Sequence, residues 1–520
     1  MSLSIFDLIG PVMMGPSSSH TAGAARIGFL VHQMVKSEIE EITLYFHPVL
    51  IQTYSGHRTH AALVAGLLGY REDDPQGVQA LHEANKKGIN LYIEQIDEDV
   101  HQNTMRIKVK TKSGILNVNG VSVGGGSILI TEIDGTQVKF DGNSYVVIER
   151  SATDISELTI NQLSDFEVID YFAGRSGDRY MQCWTVRKPV DDLTLNRLKG
   201  IKSLSSIQVI SPLYDFRQTN EETPLFSTLD EMIGLARINK YGLPSVSLNY
   251  EIDRSGRTEQ EIRLALDSNL KVMQLAIEEG LTGNAELLGG FCAGNDGLKM
   301  LKAYQEGKTI TGGIFATAIA KALAVMEVNG SMGKIVALPT AGSAGVLPGV
   351  LFSIKEKYHK NDEDLVDALL VAGAIGICIA NKASLSGAVG GCQGEVGVAA
   401  AMSAGAATHL GGGDAEQCAH AAALTLKNLL GLICDPPAGP VEVPCIKRNA
   451  IGVSAALMGA DMALAGIQSY IPPDEVIDAL RNVQEYLPQE LKGSTIGGLA
   501  STKMGGCMRK EWQKKLAELN

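Results

Sequence analysis

Hydrophobic and polar positions follow two different rules along this chain. Up to residue 140, residues 42–47, 107–112 and 128–133 alternate apolar with polar side chains, the period of a half-buried strand. Glycine and proline between Gly10 and Pro16 break the chain. Residues 20–35 then take up a helical period, and Ser17, Ser18, Ser19 and Thr21, on either side of His20, put hydroxyls where helix N-caps belong. Residues 146–211 predict strands near 146–149, 167–173, 180–187 and 205–210, separated by two polar helical stretches. That is the βαββαβ order of a ferredoxin-like module. Residues 212–223, charged and proline-containing, predict a linker.

From Pro224 onward helical periods dominate, and glycine clusters rather than β-runs interrupt them. One helix is bounded closely. Asp414 opens it with Gln417 three residues on, an Asp variant of the capping box; Cys418, Ala422, Leu426 and Leu429 follow, and Gly431 stands at the C′ position. The pattern predicts an α+β chain in three parts. These are an N-terminal α/β domain (1–145), a small ferredoxin-like unit (146–214) and a mainly α-helical C-terminal domain (223–520).

Composition narrows the class. Lys and Arg number 45 against 58 Asp and Glu, a formal charge of −13, which argues against a nucleic-acid binder. Eight cysteines in 520 residues are too sparse for a secreted disulfide scaffold. The first residues lack the basic stretch of a signal peptide, and the longest apolar run, 368–380, falls short of the ~20 residues of a membrane span. A cytoplasmic protein with no membrane segment is expected. Glycine, at 57 residues, is unusually abundant and predicts close helix packing and tight loops.

Three places carry candidate chemistry. Cys392 in GAVGGCQGEVG, Cys434 in GLICDPPAGP and Cys445 in VEVPCIKRNA are spaced C-x41-C-x10-C and held by neighbouring glycines and prolines. Loop thiols of this kind suit zinc or an iron–sulfur cluster, and three ligands leave one metal position open for Lewis-acid work. The spacing alone also allows three unrelated thiols, since no CxxC pair is present. Next come the N-terminal segments Gly15–Thr21, GHRTH with His57 and Thr59, HQNT with His101 and Asn103, and SVGGG with Ser122. Their hydroxyls and N–H groups suit a carboxylate, and their histidines suit acid–base work near neutral pH. The third is PTAGSAG, residues 339–345, an anion-binding turn carrying Thr340 and Ser343 but without the signature of a P-loop.

Together these segments closely resemble the iron–sulfur-dependent L-serine dehydratases (L-serine ammonia-lyases), which do not use pyridoxal phosphate. Residues 3–138, with IGPVMMGPSSSHTAGAARIG and SVGGG, look like the family's β portion. Residues from about 223 to 503, with MEVNGSMG, PTAGSAGVLPG, ASLSGAVGGCQGEVG, LKNLLGLICDPPAGPVEVPCIKRNA and ADMALAG, look like its α portion. The middle unit stands where some relatives carry an ACT domain.

The resemblance implies that Cys392, Cys434 and Cys445 hold a [4Fe–4S] cluster with one iron free to bind the hydroxyl of L-serine. The products would be pyruvate and ammonia, placing the chain in amino-acid degradation and gluconeogenesis, as a homo-oligomer such as a dimer. His57 is the implied base, with His20 as the fallback. Ser17, Ser18, Ser19, Thr21, Thr59, His101, Asn103, Ser122, Thr340 and Ser343 are the implied substrate contacts. The chain departs from the family at GHRTH for a GHGTD-like segment, at HQNT for HPNT, and at GGFCAGNDG for a TGLTGGD-like loop.

The alternatives are a relative acting mainly on L-threonine or L-cysteine, and a non-catalytic amino-acid-binding regulator. A pyridoxal-phosphate enzyme using Lys382 would leave the three cysteines unexplained. Cys183, Cys378 and Cys418 read as core residues and Cys507 as a surface or packing residue. An amphipathic helix is expected over 509–519, and the glycines at 505–506 would permit a bend ahead of it.

Overall fold

The computed structural model describes residues 3–176, 179–214, 224–239 and 242–519. Strands occupy the N-terminal part and helices dominate beyond it, the α+β class that the periodicities predict. Residues 215–223 of the expected linker lie outside the described residues. The chain forms two compact units. A sheet unit comprises His20–Tyr54 and Arg58–Gln218, and a helical unit comprises Met1–Ser19, Ser55–His57 and Thr219–Asn520.

In the sheet unit, strands Asn90–Gln95, Ile39–Phe46, Thr104–Thr111, Gly114–Gly124, Ser127–Ile133 and Thr136–Phe140 are hydrogen-bonded in that order. The first pair is parallel and the remaining pairs are antiparallel. Register places Leu44 opposite Ile107, Ile107 opposite Val118 and Val118 opposite Ile133, so one buried apolar row crosses four strands. Helices Gly23–Met34 and Thr59–Leu67 join the same core. They touch backbone to backbone, because a Cβ on Gly66 would lie 2.1 Å from the Ala25 carbonyl oxygen.

The helix predicted for 20–35 starts differently. Ser18–Ala22 form one π-helical turn, Gly23–Met34 is the α-helix, and Ala22 at its N-cap is already helical and makes no side-chain cap bond. The serine hydroxyls therefore do not cap it.

Strands Tyr145–Ser151, Val168–Ser176, Arg179–Val186 and Leu204–Ile210, with helices Ser156–Leu163 and Asp192–Lys199, give the βαββαβ order. In space the fourth strand flanks the first, then come the third and the second. Every second strand residue, among them Val147, Trp184 and Val186, packs with Leu163 and Leu198 of the helices; Val146, Ile148, Met181 and Cys183 join the core of the six-stranded sheet instead.

The helical unit is built around Gly313–Gly330, packed by Glu259–Gly280, Asp296–Gln305, Val346–Tyr358 and Cys445–Leu464. Three of these neighbours touch it through glycine: Cβ atoms on Gly280, Gly297 and Gly349 would fall 2.2–2.9 Å from backbone atoms of Ala324, Ala320 and Ala318. Much of the chain's glycine and alanine excess is thus helix contact at backbone distance. Among the described residues this is the one helix long and apolar enough to cross a membrane. Its buried Lys321, Glu327 and Asn329 and its packed faces mark it as the core of the bundle. The N-terminal segment joins this unit as strand Val12–Met14, antiparallel to Lys334–Val336.

Candidate metal centre and substrate groups

Cys392 follows the short helix Gly387–Gly390 and leads into a π-helical turn, Gln393–Gly397. The buried Gln393 ties this turn to the segment before Cys434. Its backbone N–H donates to the Leu432 carbonyl (2.8 Å), and its Oε1 accepts from the Gly431 N–H (2.9 Å). Cys434 is held on its other side, donating its N–H to Leu491 (2.9 Å) and accepting from the Gly493 N–H (2.7 Å). Cys445 is the first residue of helix Cys445–Leu464. One turn on, Asn449 donates to the carbonyls of Cys445 (3.0 Å) and Gly342 (2.9 Å).

The sulfurs of Cys392 and Cys434 and a carboxylate oxygen of Glu395 lie within 4.8 Å of one another. Cys445 faces the same group electrostatically. Arg448 donates to the Cys392 sulfur (3.4 Å) and the Ile433 carbonyl (2.7 Å), and pairs with buried Asp435 (2.6 Å).

Without a cation this cluster favours its protonated, neutral forms. A hydrogen bond with Cys392, then burial, pushes the Cys434 thiol far above its usual range, and burial, then Cys392 and Glu395, does the same to Cys445. Burial raises Glu395 to about 6, opposed by the Thr340 hydroxyl and Arg448. Three thiolates and a carboxylate would face one guanidinium already engaged by Asp435. A metal ion would supply that positive charge, and the sulfur-rich donor set fits an iron–sulfur cluster or another thiophilic metal.

The helical unit also contains the serine turn, PTAGSAG and His57. The Gly15 N–H donates to Gly333 (3.0 Å) and the Asn329 amide to the Pro16 carbonyl (3.1 Å), anchoring the turn that carries Ser17, Ser18 and Ser19. A Cβ on Gly56 would lie 2.8 Å from the Gly439 carbonyl carbon. The backbone beside His57 is thus packed on the loop between Cys434 and Cys445. Thr340 donates to Glu395 Oε1 (2.8 Å), and the buried Ser343 donates to the Leu338 carbonyl (2.8 Å).

In the sheet unit, His20 Nε2 lies 3.1 Å from Asn103 Oδ1. The Asn103 amide N–H donates to the Ser122 carbonyl (3.2 Å), so Oδ1 is the acceptor and His20 carries its proton on Nε2. Burial lowers the His20 pKa and keeps the ring neutral, outweighing the Asn103 bond. His101 Nδ1 accepts from the Asn103 N–H (3.2 Å), and Thr21, Thr59 and Ser122 are buried. The hydroxyls of Thr59 and Ser122 have no partner among the described residues. His60 packs edge-on against Tyr54, its pKa lowered to about 4 by burial and then by Arg58.

The model of the serine dehydratase alpha chain matches residues 204–500, and that of the beta chain residues 4–100. The chain belongs to the serine dehydratase family. It is 45% identical over 292 residues to the probable L-serine dehydratase alpha chain of Bacillus subtilis, covering 56% of this chain and 95% of that one. The probable beta chain of the same organism is 34% identical over 215 residues, 40% of this chain and 98% of that one. The L-serine dehydratase of Streptomyces coelicolor is 29% identical over 508 residues, 96% of this chain and 99% of that one. The chain thus carries the alpha and beta regions of the family together.

Sequence reasoning missed Glu395, Arg448, Asp435 and Glu442. Glu395 stands three residues after Cys392, but nothing in the sequence sets it apart from an ordinary surface glutamate. Glu442 is fully buried and accepts the N–H groups of Gly289 (2.5 Å), Gly290 (3.1 Å), Phe291 (2.8 Å) and Cys292 (3.2 Å), tying down the divergent GGFC loop. Cys292 itself accepts from Lys447 (3.1 Å). Lys382 pairs with Asp478 (3.4 Å) and Asp474 (3.6 Å). Cys183 and Cys418 are buried, and burial pushes both thiols up to about 12, while Cys378 is buried in the core of helix Asp362–Ala380. Cys507 is exposed on helix Lys503–Leu519, which begins ahead of Gly505 and Gly506 and includes both.

Proposed function

We propose that this chain converts L-serine into pyruvate and ammonia. Loss of the α-proton and the β-hydroxyl gives aminoacrylate; this tautomerises to an imine, which water hydrolyses. The observation that carries the reading is the gathering of Cys392, Cys434 and Glu395, with Cys445 in electrostatic reach of Cys392 and Glu395, in a chain alignable along 96% of its length with an L-serine dehydratase. Cys392, Cys434 and Cys445 would hold a [4Fe–4S] cluster, which when bound supplies a Lewis-acidic iron for the substrate hydroxyl.

His57 takes the α-proton. Its support is the packing of Gly56 on Gly439, which fixes the histidine's backbone beside the cysteine loop. The Ser17–Ser19 turn receives the substrate carboxylate through hydroxyls and backbone N–H groups, held for that task by Gly333 and Asn329. Thr340 and Ser343 act on the wall of the site, Thr340 by holding Glu395. Arg448 keeps positive charge on the Cys392 sulfur.

Anaerobically purified protein is expected to release pyruvate from L-serine faster than from L-threonine or L-cysteine. His57→Ala should lower turnover by about 10²–10⁴ with little change in KM, since a base acts only in the transition state. Full turnover in His57→Ala with loss in His20→Ala would pass the role to His20. No pyruvate from any of the three amino acids with the metal present would reject the function.

A further inference from the structure

Three cysteines are one ligand short of a cluster with four iron corners, and one carboxylate stands among them. Resting on the reading above, we propose that Glu395 is the fourth protein donor of the metal centre, binding through Oε2 until substrate displaces it.

Glu395 lies in the π-helical turn Gln393–Gly397, three residues after Cys392 at its N-cap. Its carboxylate is within 4.8 Å of both the Cys392 and the Cys434 sulfurs. The two oxygens are not equivalent. Oε1 accepts from the Thr340 hydroxyl at 2.8 Å. Oε2 points past Gly387: a Cβ there would lie 2.2 Å from Oε2 and 3.3 Å from the Cys434 sulfur. Among the described residues nothing donates to Oε2. The space that lets it stand beside the sulfur exists because residue 387 has no side chain, and a Cβ on Gly342 would likewise come within 3.1 Å of Oε1. Both glycines leave room for this carboxylate at the sulfurs.

A carboxylate oxygen is a harder and weaker donor to cluster iron than a thiolate, so a substrate presenting hydroxyl and carboxylate can compete for its place. In the exchange the iron–Oε2 bond breaks as the iron–substrate oxygen bond forms, and Thr340 retains the released carboxylate through Oε1. Glu395 would then guard the open iron in the absence of substrate.

The test uses full-length protein grown with ⁵⁷Fe and purified without oxygen. Mössbauer spectra of wild type should show one iron distinct from the other three. In Glu395→Gln the doublet of that iron should move while the other three stay. A second measurement needs no variant. In wild type labelled with ¹³C-carboxyl glutamate and reduced by one electron, electron–nuclear double resonance should show a ¹³C coupling that L-serine abolishes. An unmoved doublet in a cluster-bearing Glu395→Gln, or a cluster-bearing wild type without that coupling, overturns the proposal. Should the Gln variant lose its iron, the wild-type coupling decides alone. Wild type that binds no cluster at all would instead sink the reading on which the proposal rests.

Discussion

Replacing Gly387 by alanine tests the cysteine–glutamate geometry with a single methyl group. Gly387 opens the short helix Gly387–Gly390 and does not use the left-handed region, so its backbone accepts alanine. Where space is free, such an exchange adds about 0.4–1 kcal/mol of stability by restricting the unfolded chain. Here the new Cβ would stand 2.2 Å from Glu395 Oε2, and ordinary contact begins near 3.4 Å, so the carboxylate must retreat by about 1.2 Å or the helix must shift. Overpacking of this kind costs about 1–3 kcal/mol, and misplacing a reacting group by ~1 Å costs about 100-fold in rate. The assay pairs thermal unfolding with pyruvate release at matched iron content. Gly234→Ala is the control, because it lies in helix Leu229–Asn239 with nothing within 4 Å of its Cβ. The control should melt higher than wild type, and Gly387→Ala should melt lower and turn over about 100-fold more slowly. A Gly387→Ala protein that melts higher with unchanged turnover would refute the geometry.

His60, with its folded pKa lowered from 6.5 to about 4, stays neutral where the unfolded chain binds a proton. Stability should therefore fall as pH drops from 6.5 towards 4, by at most about 2 kcal/mol at pH 5 from this group. His60→Phe should shrink the loss between pH 7 and pH 5 in denaturant titrations, and an unchanged pH dependence would contradict the assignment. Glu442→Ala leaves four loop N–H groups without their acceptor and should lower stability by at least ~1–3 kcal/mol, read from the urea midpoint; an unmoved midpoint argues against it. Cys507→Ser should change neither the cluster spectrum nor the KM for L-serine, since Cys507 is an exposed helix residue; a lowered KM would show that it competes for the iron.

Much of this architecture was legible where the signal is local. Asp414 and Gln417 form the capping box that their spacing predicts, although the helix stops at Lys427, ahead of Gly431. The βαββαβ order followed from alternation alone, because its strands bury one face on helices and one on the larger sheet. Strand Asn90–Gln95 escaped notice because it sits at a sheet edge with few buried positions, which blurs the period of two. The pairing of Val12–Met14 with Lys334–Val336 spans more than 300 residues and leaves no mark in either short segment.

At the site, glycine and proline around Cys392, Cys434 and Cys445 made the thiols conspicuous. The acidic partner was hidden because a lone glutamate in a helix normally faces water. Only the fold reveals Thr340 on one of its oxygens and Gly387 beside the other. The bend that Gly505 and Gly506 would permit is not taken. Gly505 packs within 2.6 Å of the Leu499 carbonyl as a Cβ would be placed, and Gly506 meets open space, so helix Lys503–Leu519 continues through both.

The central claim, that Cys392, Cys434 and Cys445 jointly hold the metal on which serine dehydration depends, is tested most directly by iron and sulfide analysis of anaerobically purified protein. Wild type and Cys→Ala variants at the three positions are compared, with Cys418→Ala as the buried control. The account predicts about four irons and four sulfides per chain in wild type and in Cys418→Ala. In each of the three variants, loss of most of the iron should accompany loss of pyruvate formation. Wild-type iron content in any two of those variants, or full activity in protein without iron, would contradict it.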